Sequence, residues 1–139
     1  MSRRKAITLL LALIVPQSVT SLCMANDAST RRTFVDVRVS ADDALSNRLG
    51  VAIEEAFRRS PDFEVVSKAE KNTLGVTIPT NVDWDRTGER SKVRSKIEFS
   101  SDDTNKILRI ITVACWEDGL SKCADRVVKD AKGVSNKVR

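Results

Sequence analysis

The chain has 139 residues, 41% hydrophobic and 31% charged, with a net charge of +5, three cysteines and neither histidine nor tyrosine. That length suits one domain around a single core. Without imidazole there is no Ser-His-Asp or Cys-His centre, and five scattered glycines build neither a dinucleotide fingerprint nor a phosphate loop, so no cofactor is expected.

The first segment is Ser2-Arg3-Arg4-Lys5, an apolar run from Ala6 to Val15, and Cys23-Met24-Ala25 before Asn26. A charged start, an apolar centre and a small-residue end make residues 1–25 read as a secretory signal peptide. The run is shorter than the roughly 20 residues a membrane span requires. Cleavage is expected between Ala25 and Asn26, with Ala25 and Cys23 at the positions the peptidase reads; Val19 and Ser21 offer a weaker site. Lipidation of Cys23 is the alternative, opposed by Leu22 directly before it, and is the only route here to membrane association. Ser2-Arg3-Arg4 resembles a twin-arginine start, but Ala6 and Ile7 lack its usual continuation. Removing three bases and no acids lowers the net charge from +5 to +2 and leaves 114 residues with two cysteines. So small a charge does not argue for nucleic acid.

In an oxidising compartment Cys115 and Cys123 are expected to form a disulfide. Seven intervening residues do not make a Cys-x-x-Cys redox motif, and a zinc site would lack ligands, so no metal centre is expected.

After a flexible leader, 26–32, the mature chain starts with a strand marked by Val35, Val37 and Val39 on one face. Ser40 and Asp43 signal a helix start, and Leu45, Leu49, Ala52, Ile53, Ala56 and Phe57 recur at helical spacing until Ser60-Pro61. Phe63–Ser67 reads as a short strand and Lys68–Thr73 as a turn. Leu74, Val76 and Ile78 resume alternation, Pro79 marks a bend or an edge, and Val82 and Trp84 keep the same parity while Asp83 and Asp85 take the other.

The next run places Val93, Ile97 and Phe99 on one face and Arg90, Lys92, Arg94 and Lys96 on the opposite one. With Thr87-Gly88 as a two-residue loop, Asp85 meets Arg90, Asp83 meets Lys92, Val82 meets Val93 and Ile78 meets Ile97, so acid faces base and apolar faces apolar. Ser100–Asn105 is a polar turn. Ile107–Cys115 is the most apolar strand, with Leu108 and Ile110 on one face and Ile111 and Val113 on the other, and is expected to lie centrally in the sheet. Leu120, Cys123, Ala124, Val127 and Ala131 form a second amphipathic helix ending near Gly133, followed by a frayed basic tail at 134–139.

The order strand, helix, four strands, helix predicts an α+β fold over residues 33–133, a mainly antiparallel sheet of about five strands with both helices on one face. The disulfide would staple the last helix to the preceding strand.

Asp83 and Asp85, about 7 Å apart on one strand face, suit a cation or paired carboxylates, but cross-strand pairing with the bases opposite is the simpler role. Asp102-Asp103 and Glu117-Asp118 read as solvated turn residues. The basic row Arg90, Lys92, Arg94 and Lys96, with Trp84 as an anchor if exposed, is the candidate partner surface, suited to an acidic protein, anionic lipid headgroups or acidic glycans. A solvated sheet face partly neutralised by Asp83 and Asp85 is the simpler role. Trp84 and Trp116 otherwise read as core or core edge. The basic face lacks the interleaved aromatics of a single-strand nucleic-acid platform.

The helix with Leu45, Leu49, Ile53 and Phe57, followed by Ser60-Pro61-Asp62-Phe63-Glu64-Val65-Val66, resembles small periplasmic α/β domains of the TolB amino-terminal and curli-secretion lipoprotein type. The resemblance covers residues 33–78 and implies a module that docks on other envelope proteins; no functional residue carries over from it. The expected function is therefore an exported, non-enzymatic binding or accessory protein whose partner is another envelope protein. The alternative is a small inhibitor or immunity-type protein that blocks an envelope-acting enzyme.

Overall fold

A computed structural model describes residues 31–68 and 71–138. The expected signal peptide, its cleavage site, Cys23 and most of the leader lie outside the described residues.

The first strand, β1 (Thr33–Val39), leads into helix α1 (Ala44–Arg59) and then β2 (Phe63–Val65). Asp43 caps α1, its carboxylate accepting from the Ser46 N–H at 2.8 Å. Pro61 holds Ser60 in extended backbone and stops the helix, while Arg58 and Arg59 oppose the dipole of its last turn. Leu49, Ile53, Ala56 and Phe57 form the buried stripe, at the spacing one helix face requires.

β1 and β2 pair in parallel, so β1, α1 and β2 make one crossover unit. β3 (Thr73–Ile78) then pairs with the other side of β1, also in parallel. From there the sheet is antiparallel: β4 (Asp83–Thr87) and β5 (Arg90–Ser101) form a hairpin, β3 borders the other end of β5, and β6 (Lys106–Trp116) runs along its far side. A single 3₁₀ turn, Glu117–Gly119, enters helix α2 (Leu120–Ser135). The architecture is α+β, an open mixed sheet with two mutually packed helices covering one face.

The core lies between sheet and helices, with Val35, Leu74, Val76, Ile78, Val93, Ile97, Phe99 and Val113 facing Leu49, Ile53, Phe57, Ala124, Val127 and Ala131. A disulfide joins Cys115 at the end of β6 to Cys123 in the first turns of α2, with Cα atoms 5.8 Å apart.

Several expectations are corrected. The run 74–87 is two strands, because Pro79 lacks an N–H and the chain leaves the ladder until Asp83. The expected pairing survives on the β3 side, where Val76 meets Phe99. On the β4 side it shifts by two residues, so that Asp85 meets Lys92, Asp83 meets Arg94 and Trp84 meets Val93. The loop is therefore Gly88-Glu89, with Gly88 at φ +65° as its first residue; a hairpin turn with positive φ at that position favours glycine over threonine.

The most apolar strand, β6, is an edge and not central, pairing among the described residues only with β5. A bulge opposite Phe99 and Ser100 turns Leu108 toward the core, and Ile110 faces outward at 51% exposure. The tail does not fray at Gly133: α2 continues to Ser135, and Val134 and Val138 are buried. Nor is Asp102 solvated. Its nearly buried carboxylate pairs with Arg38 at 2.8 Å, and Arg38 also pairs with Asp36. Burial opposes the Arg38 charge, but hydrogen bonds to Asp36 and Asp102 outweigh it and raise the guanidinium above its ordinary pKa.

The start of α1 is tied to the break between β3 and β4 by one buried hydroxyl. Ser46 Oγ accepts from the Val82 N–H at 3.0 Å and donates to Asp43. Burial raises the Asp43 carboxyl, yet hydrogen bonds from the Ser46 hydroxyl and from backbone N–H groups prevail and hold it below the usual carboxylate range. A depressed folded value contributes stability above the unfolded pKa of about 3.9, and that stability is lost as pH falls through the folded value. Asp43→Ala is expected to cost about 1 kcal/mol at pH 7. Urea melts across an acid series should show the gap from the parent closing below about pH 4; a pH-independent gap would separate the cap from the carboxylate charge.

Candidate functional site: the outer sheet face

The face away from the helices is set by the alternation along β5. Val93, Ser95, Ile97 and Phe99 point into the core, and Lys92, Arg94 and Lys96 point out. β6 adds Ile110, Thr112, Ala114 and Trp116 to that face, opposite Glu98, Lys96, Arg94 and Lys92 in turn, and β4 adds Asp83 opposite Arg94 and Asp85 opposite Lys92.

Register alone does not make ion pairs. None of Asp83, Asp85, Lys92, Arg94 and Lys96 has an opposite charge within 4.0 Å, whereas Arg48 reaches Glu117, Arg58 reaches Glu54, Arg109 reaches Asp130 and Lys132 reaches Asp62. The cross-strand contact pairs expected for Asp83 and Asp85 are thus absent among the described residues, and three adjacent cations stand exposed on the outer face with Asp85 and Asp83 in register opposite two of them.

Arg90 behaves differently from the rest of its row. It contacts Asp118 at 2.8 and 3.0 Å and lies over the Trp116 ring, 4.5 Å from its centroid. The hydrogen bond from Arg90 lowers the Asp118 carboxyl below its ordinary pKa against a smaller effect of desolvation. Arg90 therefore braces the hairpin against the 3₁₀ turn, and the free row is Lys92, Arg94 and Lys96. Glu117 likewise meets Arg48 at 2.7 Å, so this turn is ion-paired on both sides.

Trp84 is 61% exposed, contrary to the core-edge position expected for it, because β4 runs past the first turn of α1 and no helix covers it there. Its pairing with Val93 puts it on the helix-side face, beside Leu45, Arg86 and Glu89. Trp84 and the cations are consequently on opposite faces and cannot form one patch. Trp116, half-buried on the outer face opposite Lys92, is the aromatic that accompanies them.

Where the chain leaves the ladder between Ile78 and Asp83, a concavity of about 350 Å³ opens beside the row, lined by Thr80, Asn81, Asp83, Arg94, Lys96 and Thr112. Hydroxyl and amide groups and two cations supply donors suited to a carboxylate or another anion, with the Asp83 carboxylate at the same notch as the one opposing charge. Sequence reasoning missed Thr112 and Thr80; the parity of β6 would have found Thr112 had its edge position been legible. Among the described residues no cluster of three or more Cys, Asp or Glu side chains has the geometry to hold a metal ion, and no helix is long and apolar enough to cross a membrane.

One solved structure shares this fold, and two others superpose less closely. A Xanthomonas campestris protein of the DUF330 family superposes with a TM-score of 0.51 at 11% identity, covering 70% of this chain and 81% of that one. A minor lipoprotein from Acinetobacter baumannii gives 0.46 at 7% identity, over 73% and 93% of the two chains. PelC from Paraburkholderia phytofirmans, solved as a dodecamer, gives 0.43 at 17% identity, over 69% and 80%. No protein-family model matches the sequence, and no curated protein matches it either. At 11% identity the likeness to the Xanthomonas campestris protein is one of fold alone.

Proposed function

We propose that this chain is an exported, non-enzymatic binding or accessory protein of the cell envelope that docks on another envelope protein through the outer face of its sheet. The observation that carries the reading is the exposed row Lys92, Arg94 and Lys96, which makes no contact ion pair among the described residues and lies beside the Thr112 notch, while ion pairs engage bases elsewhere on the surface. Exposed charge without an internal partner steers association with a complementary surface. The amino-terminal charged and apolar order supplies the compartment, and the lack of histidine leaves no ordinary acid-base centre.

The test uses the full chain in intact cells, with a photo-crosslinking residue at exposed Thr112 and, as control, at exposed Glu55 on α1. Adducts with an envelope protein are expected from Thr112 and not from Glu55. Lys92→Glu with Arg94→Glu should lower their yield about tenfold, electrostatic complementarity having been reversed. Those substitutions should cost less than about 1 kcal/mol of stability, since they remove no buried contact and add only like-charge neighbours at Asp83 and Asp85. Equal labelling from the two positions, or an unchanged yield from the double variant, would overturn the reading. An adduct with a single hydrolase would identify an inhibitor instead.

A further inference from the structure

The open edge of β6 lies one strand away from the free cations. β6 is eleven residues long, and among the described residues no backbone hydrogen bond runs from its free edge to another segment. Exposed edges are normally blunted by short length, charge, proline or a bulge. Here the bulge sits at one end, near Leu108, and the disulfide at the other; between them Ile110–Ala114 contains no charge, no proline and no glycine. Ile107 and Ile110 are 52% and 51% exposed.

Resting on the docking reading above, we infer that β6 accepts an extended acidic segment of the partner protein as an added strand. A strand joined to β6 would lie about 4.8 Å beyond it, its outer-face side chains beside Ile110, Thr112 and Ala114. Thr112 and Ala114 are short, so they leave the long side chains of Lys96 and Arg94, directly behind them in the ladder, accessible to the newcomer. Alternate residues of a strand are about 7 Å apart, which is also the interval between Lys92, Arg94 and Lys96. Acidic residues at alternate positions would therefore meet the row in register, with an apolar residue against Ile110.

A second copy of this chain fits less well. Two β6 edges paired about a two-fold axis would set one cationic row beyond each side of the seam on a single face. Each copy would bring one carboxylate near the seam, Glu98 behind Ile110, against its own three cations Lys92, Arg94 and Lys96, because Asp83 and Asp85 lie on the far side of β5 from β6.

The experiment titrates the isotopically labelled chain, residues 26–139, with a blocked nonapeptide that carries glutamate at the alternate positions meant for Lys96, Arg94 and Lys92, valine at the position meant for Ile110, and valine or threonine between them. Its lysine counterpart and two forms carrying N-methyl groups on one or the other alternate set of backbone nitrogens serve as comparisons. Strand addition slows amide exchange at alternate positions within Ile110–Ala114 by about tenfold or more. One N-methylated form, whose hydrogen bonds to β6 are lost, should bind about tenfold more weakly and the other nearly normally. Lys92→Glu with Arg94→Glu should weaken the parent peptide about tenfold, and the lysine peptide should not bind.

Equal binding of the two methylated forms would mean that side chains alone hold the peptide, overturning strand addition while leaving the docking face intact. Protection of β6 without peptide, together with a doubled solution mass, would make the occupant a second copy. No binding of the glutamate peptide at millimolar concentration would also overturn the inference. The Thr112 adducts require only the face, so they report on the docking reading independently.

Discussion

Phe57→Ala is expected to remove about 3–5 kcal/mol of folding stability, the largest effect of any single change considered for this chain. Phe57 is fully buried on the last turn of α1 and meets the Phe63 ring edge-on, with centroids 5.0 Å apart and planes at 85°. Phe63 begins β2, a strand of only three residues at the sheet margin, so this contact is a principal tie between that strand and the helix. Truncation loses the transfer energy of the ring and leaves a cavity that the surrounding core fills only in part. Against a total of about 5–15 kcal/mol for a small domain, such a loss brings the fold close to its limit. Urea unfolding of Phe57→Ala, Phe63→Leu and the double variant should show a coupling of about 0.5–1.5 kcal/mol from the aromatic geometry beyond buried area. A loss below about 1 kcal/mol for Phe57→Ala would mean that the site repacks freely and α1 is not anchored there.

Local pattern was enough for the elements that obey one period. The stripe from Leu49 to Phe57, bounded by Asp43 and Pro61, reads as a helix because cap, stripe and stop agree. The alternation in β5 likewise reveals which cations face outward, since parity is unaffected by the two-residue error in hairpin register. What stayed hidden depends on neighbours distant in sequence. Alternation does not distinguish a parallel from an antiparallel partner, so the pairing of β1 with β2 and β3 was not legible. Apolar composition in β6 points to central burial, whereas among the described residues only its inner face is covered and its outer face and edge are open. Asp102 sits in a polar turn whose sequence gives no hint that Arg38, on β1, reaches across to it.

The same distinction applies to the candidate site. Lys92, Arg94 and Lys96 were identifiable from their spacing, but their freedom from carboxylates was not, because facing residues in a ladder need not bring charges within contact distance. Chemistry groups Trp84 with the cations; parity sends it to the opposite face and leaves Trp116 in its place. The surface that emerges combines a row set by strand alternation with an edge set by tertiary topology.

Replacing both cysteines by alanine is expected to lower stability by about 2.5 kcal/mol and the melting temperature by roughly 10 °C. Cys115 and Cys123 are eight positions apart, so the ring they close is short and its entropic contribution falls toward the lower part of the usual range. Cys123 is buried against the core and Cys115 partly so, and the bond carries the chain across the 3₁₀ turn from the sheet edge into α2. Asp118, which holds Arg90 over Trp116, lies inside that ring. Loss of the bond should therefore loosen the end of β6 before it affects α1. Calorimetry of the oxidised chain, the same chain reduced, and the double alanine variant should give one high melting point and two lower ones that agree. Amide exchange should accelerate first in 114–120 and leave Ile53 and Phe57 protected at their global values. If the reduced and oxidised chains melt together, the staple contributes nothing and the packing of Cys123 alone positions α2; if acceleration spreads evenly, the edge and the core open as one unit.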